Sequence, residues 1–199
     1  MSMNFYKAVE DRRTYYGIGK EKVVSEERVV EVVENSVKFA PTAFNSQSSR
    51  VIVLMNHHHD KLWDMTKEAL RKIVPPENFS QTEERINGFK SGYGTVLFFE
   101  DQNVVKSLQE QFPLYKDNFP VWSQQASGML QYIVWTSLEV EGLGVSLQHY
   151  NPLIDEDVKK EWDVPENWKL IAQMPFGNVV SKPDEKSFLP LNERVRVNR

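Results

Sequence analysis

Two short apolar runs, Val51-Ile52-Val53-Leu54-Met55 and Thr95-Val96-Leu97-Phe98-Phe99-Glu100, constrain this chain more than any other feature. Neither alternates apolar with polar residues, as a strand with one wet face does, and both are shorter than an ordinary helix. A continuous run of that length marks a strand covered on both faces. The sheet it enters therefore lies between layers of helix. Segments able to supply those layers flank both runs. Asn4 to Arg12 reads as a short helix, with Asn4 as its cap and Phe5, Ala8 and Val9 on one face. Ser25 caps a second, with Glu26 and Glu27 near the positive end of its dipole. Val29, Val30, Val33, Val37 and Ala40 follow at helical spacing until Pro41 stops the run.

Further along, Leu62 to Ile73 reads as a helix ended by Pro75-Pro76. The polar stretch from Pro76 to Gly94, with Asn87-Gly88 and Gly92, reads as loop with one helical piece. Val104 to Phe112 and Glu156 to Trp162 are helical by pattern. Trp122 to Val140 is apolar nearly all round, which predicts a central, buried helix. Val145 to Gln148 and Leu170 to Met174 complete the set of expected strands. With no internal repeat and no linker, the pattern predicts one α+β domain over residues 1–199.

Composition removes several kinds of chemistry. Hydrophobic residues at 40% and aromatics at 12% support a full core, so disorder is not expected. The formal charge is 24 − 28 = −4 and no broad basic patch is visible, which argues against nucleic acid as a partner. Cysteine is absent, so disulfides, thiolate metal sites, iron–sulfur clusters and thiol catalysis are excluded. No apolar run is long enough to span a membrane, and no basic start followed by an apolar core opens the chain; the default expectation is a cytoplasmic protein.

Four groups of residues invite a functional reading. Pro41-Thr42-Ala43-Phe44-Asn45-Ser46-Gln47-Ser48-Ser49-Arg50 is a short polar loop between a helix and a buried strand. Its amides donate and accept in fixed directions, so Asn45 and Gln47 either cap their neighbours or hold a polar ring. Arg12-Arg13-Thr14 is either a solvated helix terminus or a site for a phosphate-like anion. The aromatic set Phe112, Tyr115, Phe119 and Trp122, in a connection bounded by Pro113 and Pro120, is either core or a lid over a planar ligand. Gln148 and His149 stand at the end of a predicted strand, where sites gather in open sheets. Two other patterns are set aside. Gly142-Leu143-Gly144 precedes a strand instead of opening a helix, so it is not a dinucleotide fingerprint. His57-His58-His59 reads as a polar turn with side chains pointing alternately, and no metal is expected there. No Gly-x-Ser-x-Gly elbow supports acyl transfer.

Taken in order, Arg12-Arg13-Thr14, Pro41 to Gln47, Gly94 to Asp101, Gly142 to Tyr150 and Pro175-Phe176-Gly177 resemble the nitroreductase family. The likeness covers nearly the whole chain and is greatest to the short branch that includes the yeast fatty-acid-repression mutant protein and bacterial relatives. It implies a three-layer sandwich with a small mixed sheet between helices, an intertwined homodimer, and FMN shared between subunits. It implies that Arg12, Arg13, Thr14 and Lys186 hold the phosphate end, that Pro41, Thr42 and Asn45 reach the partner's flavin, and that Gln148 and His149 lie along the ring; Gln47, from the same polar loop, joins the cofactor-binding candidates. Tyr16 stands in the cofactor set where the family commonly has a basic residue, and Phe188 where a second one often follows the lysine. The implied activity is NAD(P)H-dependent reduction of nitroaromatic or quinone-like acceptors by a ping-pong route, with Phe112, Tyr115, Phe119 and Trp122 toward the acceptor. The alternative it implies is a flavin-binding regulatory or stress-response protein with little turnover.

Overall fold

A computed structural model describes residues 4–199. In chain order its main elements are α1 (Phe5–Asp11), β1 (Ile18–Gly19), α2 (Glu26–Phe39), β2 (Ser49–Met55), α3 (His57–Arg71) and α4 (Phe79–Lys90). There follow β3 (Gly94–Asp101), α5 (Gln102–Gln111), α6 (Phe119–Val140), β4 (Leu143–Val145), α7 (Asp155–Glu161) and β5 (Trp168–Val179). The sheet runs β1-β5-β3-β2, with β4 also paired to β5.

The two apolar runs become β2 and β3, and the packing shows why they are continuous. Val96 and Phe98 of β3 join a core cluster with Val29, Val32 and Val33 of α2 and Leu130, Val134 and Leu138 of α6. Leu97 and Phe99, pointing the other way, join Leu62 and Trp63 of α3, Ile86 and Phe89 of α4 and Val158 of α7. Side chains alternate across a strand, so a sheet buried on both faces needs an apolar residue at every position. Each fully buried Leu, Val or Phe contributes about 1.5–3 kcal/mol.

Local chemistry sets several boundaries as the sequence predicts. The Asn4 side chain accepts a hydrogen bond from the Tyr6 N–H at 3.0 Å. Ser25 Oγ accepts from the Arg28 N–H at 3.2 Å, which caps α2. Elsewhere the structure corrects the reading. Every strand pairing among the described residues is antiparallel, where a mixed sheet was expected. Met55 at the end of β2 pairs with Gly94 at the start of β3, and Asp101 at the end of β3 with Trp168 at the start of β5, so each of these strands begins where its neighbour finished.

The histidine run is not an extended turn: His57, His58 and His59 open α3. His59 lies on the helix stripe His59, Leu62, Trp63, Thr66 and Ala69 and is fully buried. Residues 79–90, read as mostly loop, form α4, held by a buried stripe of only Phe79, Ile86 and Phe89. Helix α6 is not buried all round. Val121, Met129, Tyr132 and Val140 are exposed while Ser123, Ser127 and Gln131 are buried. No helix is long and apolar enough to cross a membrane among the described residues.

Candidate functional site

The first motif is held as an extended segment between α1 and β1. The Tyr15 N–H donates to Val145 O at 2.9 Å, which fixes the motif alongside β4 and the strand end beyond it. Behind it a clasp forms on α6. Glu139 accepts from the Arg13 backbone N–H at 2.9 Å and from Trp135 Nε1 at 2.6 Å. The Arg12 guanidinium lies 4.4 Å from the centre of the Trp135 ring, a cation–π contact. Burial pushes the Glu139 carboxyl up to about 7, against the pull of the Arg13 N–H and the Trp135 indole. The Arg13 guanidinium donates to the Asp184 carbonyl, bringing the C-terminal segment to the same place.

Two cavities border this region. One, of about 350 Å³, is lined by Arg12, Tyr15, Thr136, Glu139 and Lys182. Thr136 Oγ1 is buried there without a partner. Arg12 and Lys182 with the orphaned hydroxyl supply donors for an anion, and the Asp11 and Glu139 carboxyl groups line the same pocket. The other, of about 620 Å³, is lined by Tyr16, Gln81, Arg85, Phe89 and Gln148 among others. A side chain at Gly88, which also lines it, would meet nothing within 4 Å. Gln148 is held by a two-way backbone bridge to Gln173, with N–H to carbonyl distances of 2.7 and 2.9 Å. Gln173 Oε1 also accepts from the Tyr150 N–H at 2.7 Å, and its buried Nε2 has no partner. Tyr15 lines the first cavity and Tyr16 the second, and a pocket with two cations together with a wider cavity that has an amide at its wall offers groups that fit a phosphorylated planar group such as FMN.

The Pro41–Arg50 loop lies elsewhere. Asp101 N–H donates to Ser48 O at 2.9 Å, and Ser48 and Ser49 donate their hydroxyls to the buried Glu100 at 2.6 and 2.5 Å. Burial raises the Glu100 pKa, and those hydroxyls pull it back. Arg50 pairs with Asp101 at 2.9 Å and donates to Gln47 O at 2.7 Å. Thr42 Oγ1 accepts from the Gln47 N–H at 3.1 Å. Phe44, Asn45 and Gln47 adopt φ of 57°, 51° and 48°, a left-handed conformation that non-glycine residues hold only when the surroundings enforce it.

Around Phe44 the packing is aromatic. The Phe44 ring lies 4.9 Å from Phe112, 6.0 Å from Tyr115, 5.3 Å from Phe119 and 6.0 Å from Trp122, centre to centre. The four aromatics singled out in the sequence therefore converge on the loop, around a fifth that the sequence reading passed over. Phe119 is core, whereas Phe44 and Tyr115 are about half exposed.

Within one chain the two halves do not meet. The loop sits at the Asp101 end of β3, while the first motif and β4 sit at the Gly94 end, which pairs with Phe176. Eight strand residues separate them, about 25 Å at roughly 3.3 Å per residue. His149 and Lys186 are exposed, and Lys186 Nζ lies 5.5 Å from the Phe188 ring centre. Lys182, Arg85, Trp135 and Glu139 were missed. Lys182 and Arg85 carry no local pattern, and the Trp135–Glu139 pair was hidden in an apolar helix.

An antiparallel sheet sandwiched by helices, with an arginine segment laid against the short strand β4 and a polar loop at its opposite end, is the architecture of one class of proteins. A profile of the nitroreductase family matches residues 9–178, and the chain belongs to that family. It is 33% identical to the nitroreductase FRM2 of Saccharomyces cerevisiae over 188 residues, 94% of this chain and 93% of FRM2. The solved structure of nitroreductase CinD from Lactococcus lactis in complex with chloramphenicol superposes with a TM-score of 0.91 at 48% identity. It covers 98% of this chain and 100% of CinD. A nitroreductase from Desulfitobacterium hafniense with bound FMN shares the fold with a TM-score of 0.72 at 16% identity, over 99% of this chain and 100% of that one.

Proposed function

We propose that the chain is a single-domain, FMN-dependent oxidoreductase that passes electrons from NAD(P)H to nitroaromatic or quinone-like acceptors, working as a homodimer with two shared sites. The observation that carries this reading is the Tyr15–Val145 hydrogen bond. It ties the arginine motif to β4, and the adjacent Tyr15 and Tyr16 line a pocket with two cations and a wider cavity bordered by Gln148, which supports a phosphate tail at the first and a planar ring at the second. Bound FMN supplies acceptance and return of two electrons, so the protein needs no nucleophile of its own.

The chain's residues position and charge-balance that group. Arg12, Arg13, Thr14, Lys182 and Lys186 hold the phosphate through charge-assisted bonds. Gln148, His149 and Tyr16 border the ring. From the second subunit, Pro41, Thr42, Asn45 and Gln47 close the ring edge, and Phe44, Phe112, Tyr115 and Trp122 offer stacking faces to a planar acceptor. CinD has been solved with chloramphenicol and with 4-nitrophenol, both small aromatic ligands that suit such a surface.

Dimerisation is supported by the exposed apolar residues Phe5, Tyr6, Phe39, Met129 and Tyr132 on α1, α2 and α6. Beside them, the outer edge of β2 has no partner strand among the described residues. Large contiguous apolar surface is rarely left in water. A second copy also brings a loop to each cavity, which one chain cannot do.

Without a nucleotide-binding fold of its own, NAD(P)H takes turns with the acceptor over one ring face. Initial rates at several fixed acceptor concentrations are the test. Parallel double-reciprocal lines support the ping-pong reading, and intersecting lines remove it. A protein that binds FMN but is not bleached by NADH or NADPH without oxygen is instead the regulatory flavoprotein.

A further inference from the structure

The cavity that borders Gln148 holds one cation. Tyr16, Gln81, Glu84, Arg85, Gly88, Phe89 and Gln148 line it, and only Arg85 among them carries positive charge. Other cations of the same region are committed elsewhere. Lys90 pairs with Asp64 at 2.6 Å, Lys20 with Asp60 at 2.6 Å, and Arg71 with Glu83 at 3.3 Å. Arg12 lies on the Trp135 ring and belongs to the neighbouring cavity. Among the described residues, Arg85 has no carboxylate within salt-bridge distance.

Its surroundings fix where that charge acts. Arg85 stands one turn before the buried Phe89, whose ring lies 6.4 Å from Tyr16 and 6.5 Å from Tyr150. Burial raises the Tyr150 pKa and the Arg85 charge opposes it, so the guanidinium is within electrostatic reach of the segment that carries Gln148. The base of α4 is rigid: Phe89 is packed on Trp63 at 4.9 Å, and Lys90 O accepts from His59 Nε2 at 3.3 Å.

Resting on the proposal that FMN occupies this cavity, we infer that Arg85 is the cation that balances the charge gained by the ring on reduction, supplied from α4 in place of the basic residue absent at Tyr16. A guanidinium at the ring edge favours the reduced, more negative cofactor over the oxidised one. Arg85 would act on the bound ring through its charge alone, forming no bond to it, and the electrons would come from the nicotinamide.

The test compares wild type, Arg85→Ala, Arg85→Lys and Lys106→Ala, the last removing an equal charge from an exposed site on α5. FMN dissociation constants are read by fluorescence quenching, and midpoint potentials by equilibration with redox dyes. Arg85→Ala should lose about tenfold of the preference for reduced over oxidised FMN, a drop of about 30 mV for a two-electron couple. Arg85→Lys should keep most of the wild-type potential, and Lys106→Ala all of it. A wild type that binds FMN and an Arg85→Ala protein with the same potential overturn this assignment alone. A wild type that binds no FMN overturns the functional reading beneath it as well.

Discussion

Acidification should remove the stabilising contribution of one side chain, His59. It is fully buried at the start of α3, where a neutral imidazole satisfies both ring nitrogens. Nε2–H donates to Lys90 O at 3.3 Å, and Nδ1 accepts from the Thr95 hydroxyl at 2.8 Å. Thr95 Oγ1 in turn accepts from Trp63 Nε1 at 3.0 Å. Burial pushes the His59 pKa down from 6.5 to about 4. The unfolded chain therefore binds the extra proton first. The contribution is complete above pH 6.5 and is lost as pH falls toward 4. At about 1.4 kcal/mol per unit, roughly 2 kcal/mol is gone by pH 5 and about 3 kcal/mol below pH 4. For a chain of this size 2 kcal/mol is about 4–8 °C in Tm.

Glu139, raised to about 7, works in the opposite sense, since its buried proton is lost between the unfolded value of 4.5 and 7. The assay must therefore subtract it. Urea melts of wild type and His59→Gln at pH 7.5 and pH 5, at one protein concentration, give the difference directly. Wild type should lose about 2 kcal/mol more than the variant on acidification. Parallel losses in the two proteins would refute a buried neutral imidazole at this position.

Three other variants follow from the site. Arg12→Ala combined with Lys186→Ala should weaken FMN retention by about 3 kcal/mol, roughly a hundredfold in Kd, measured by dialysis; unchanged flavin content would contradict it. Phe44→Ala should raise the KM for a nitroaromatic about fivefold, a stacking loss of about 1 kcal/mol, while the rate of anaerobic reduction by NADH stays as in wild type. Ser48→Ala, which takes one donor from the buried Glu100, should cost about 1–3 kcal/mol in urea denaturation, and no change would mean that the serine hydroxyl is not needed there.

Much of the fold could be read from residue order because its main signals are local. A continuous apolar run such as Val96 to Phe99, too short for an ordinary helix, reads as a doubly covered strand, and Ser25 with Pro41 brackets α2 by cap and stop. What escaped was set by tertiary packing. α4 is nearly all polar, and three buried residues hold it; β1 is two residues long and exists only because β5 extends to Val179 to meet it. The His57–His59 run was misread because adjacent identical residues carry no visible period until the stripe through Ala69 is seen.

The same division holds for the site. Arg12, Thr42 and the aromatic set announce themselves as clusters. Phe44, Arg85 and Glu139 matter through what folds against them, which no sequence window contains. The missing basic residue at Tyr16 was legible, but the cation that shares its cavity lies 69 positions away.

The central claim is that two separated polar segments, each incomplete in one chain, form a flavin site between two copies. Sedimentation of the purified protein with excess FMN, read at both protein and flavin wavelengths, tests it most directly. A dimer carrying two FMN per pair of chains is the predicted result. A monomer that sediments free of the flavin contradicts it.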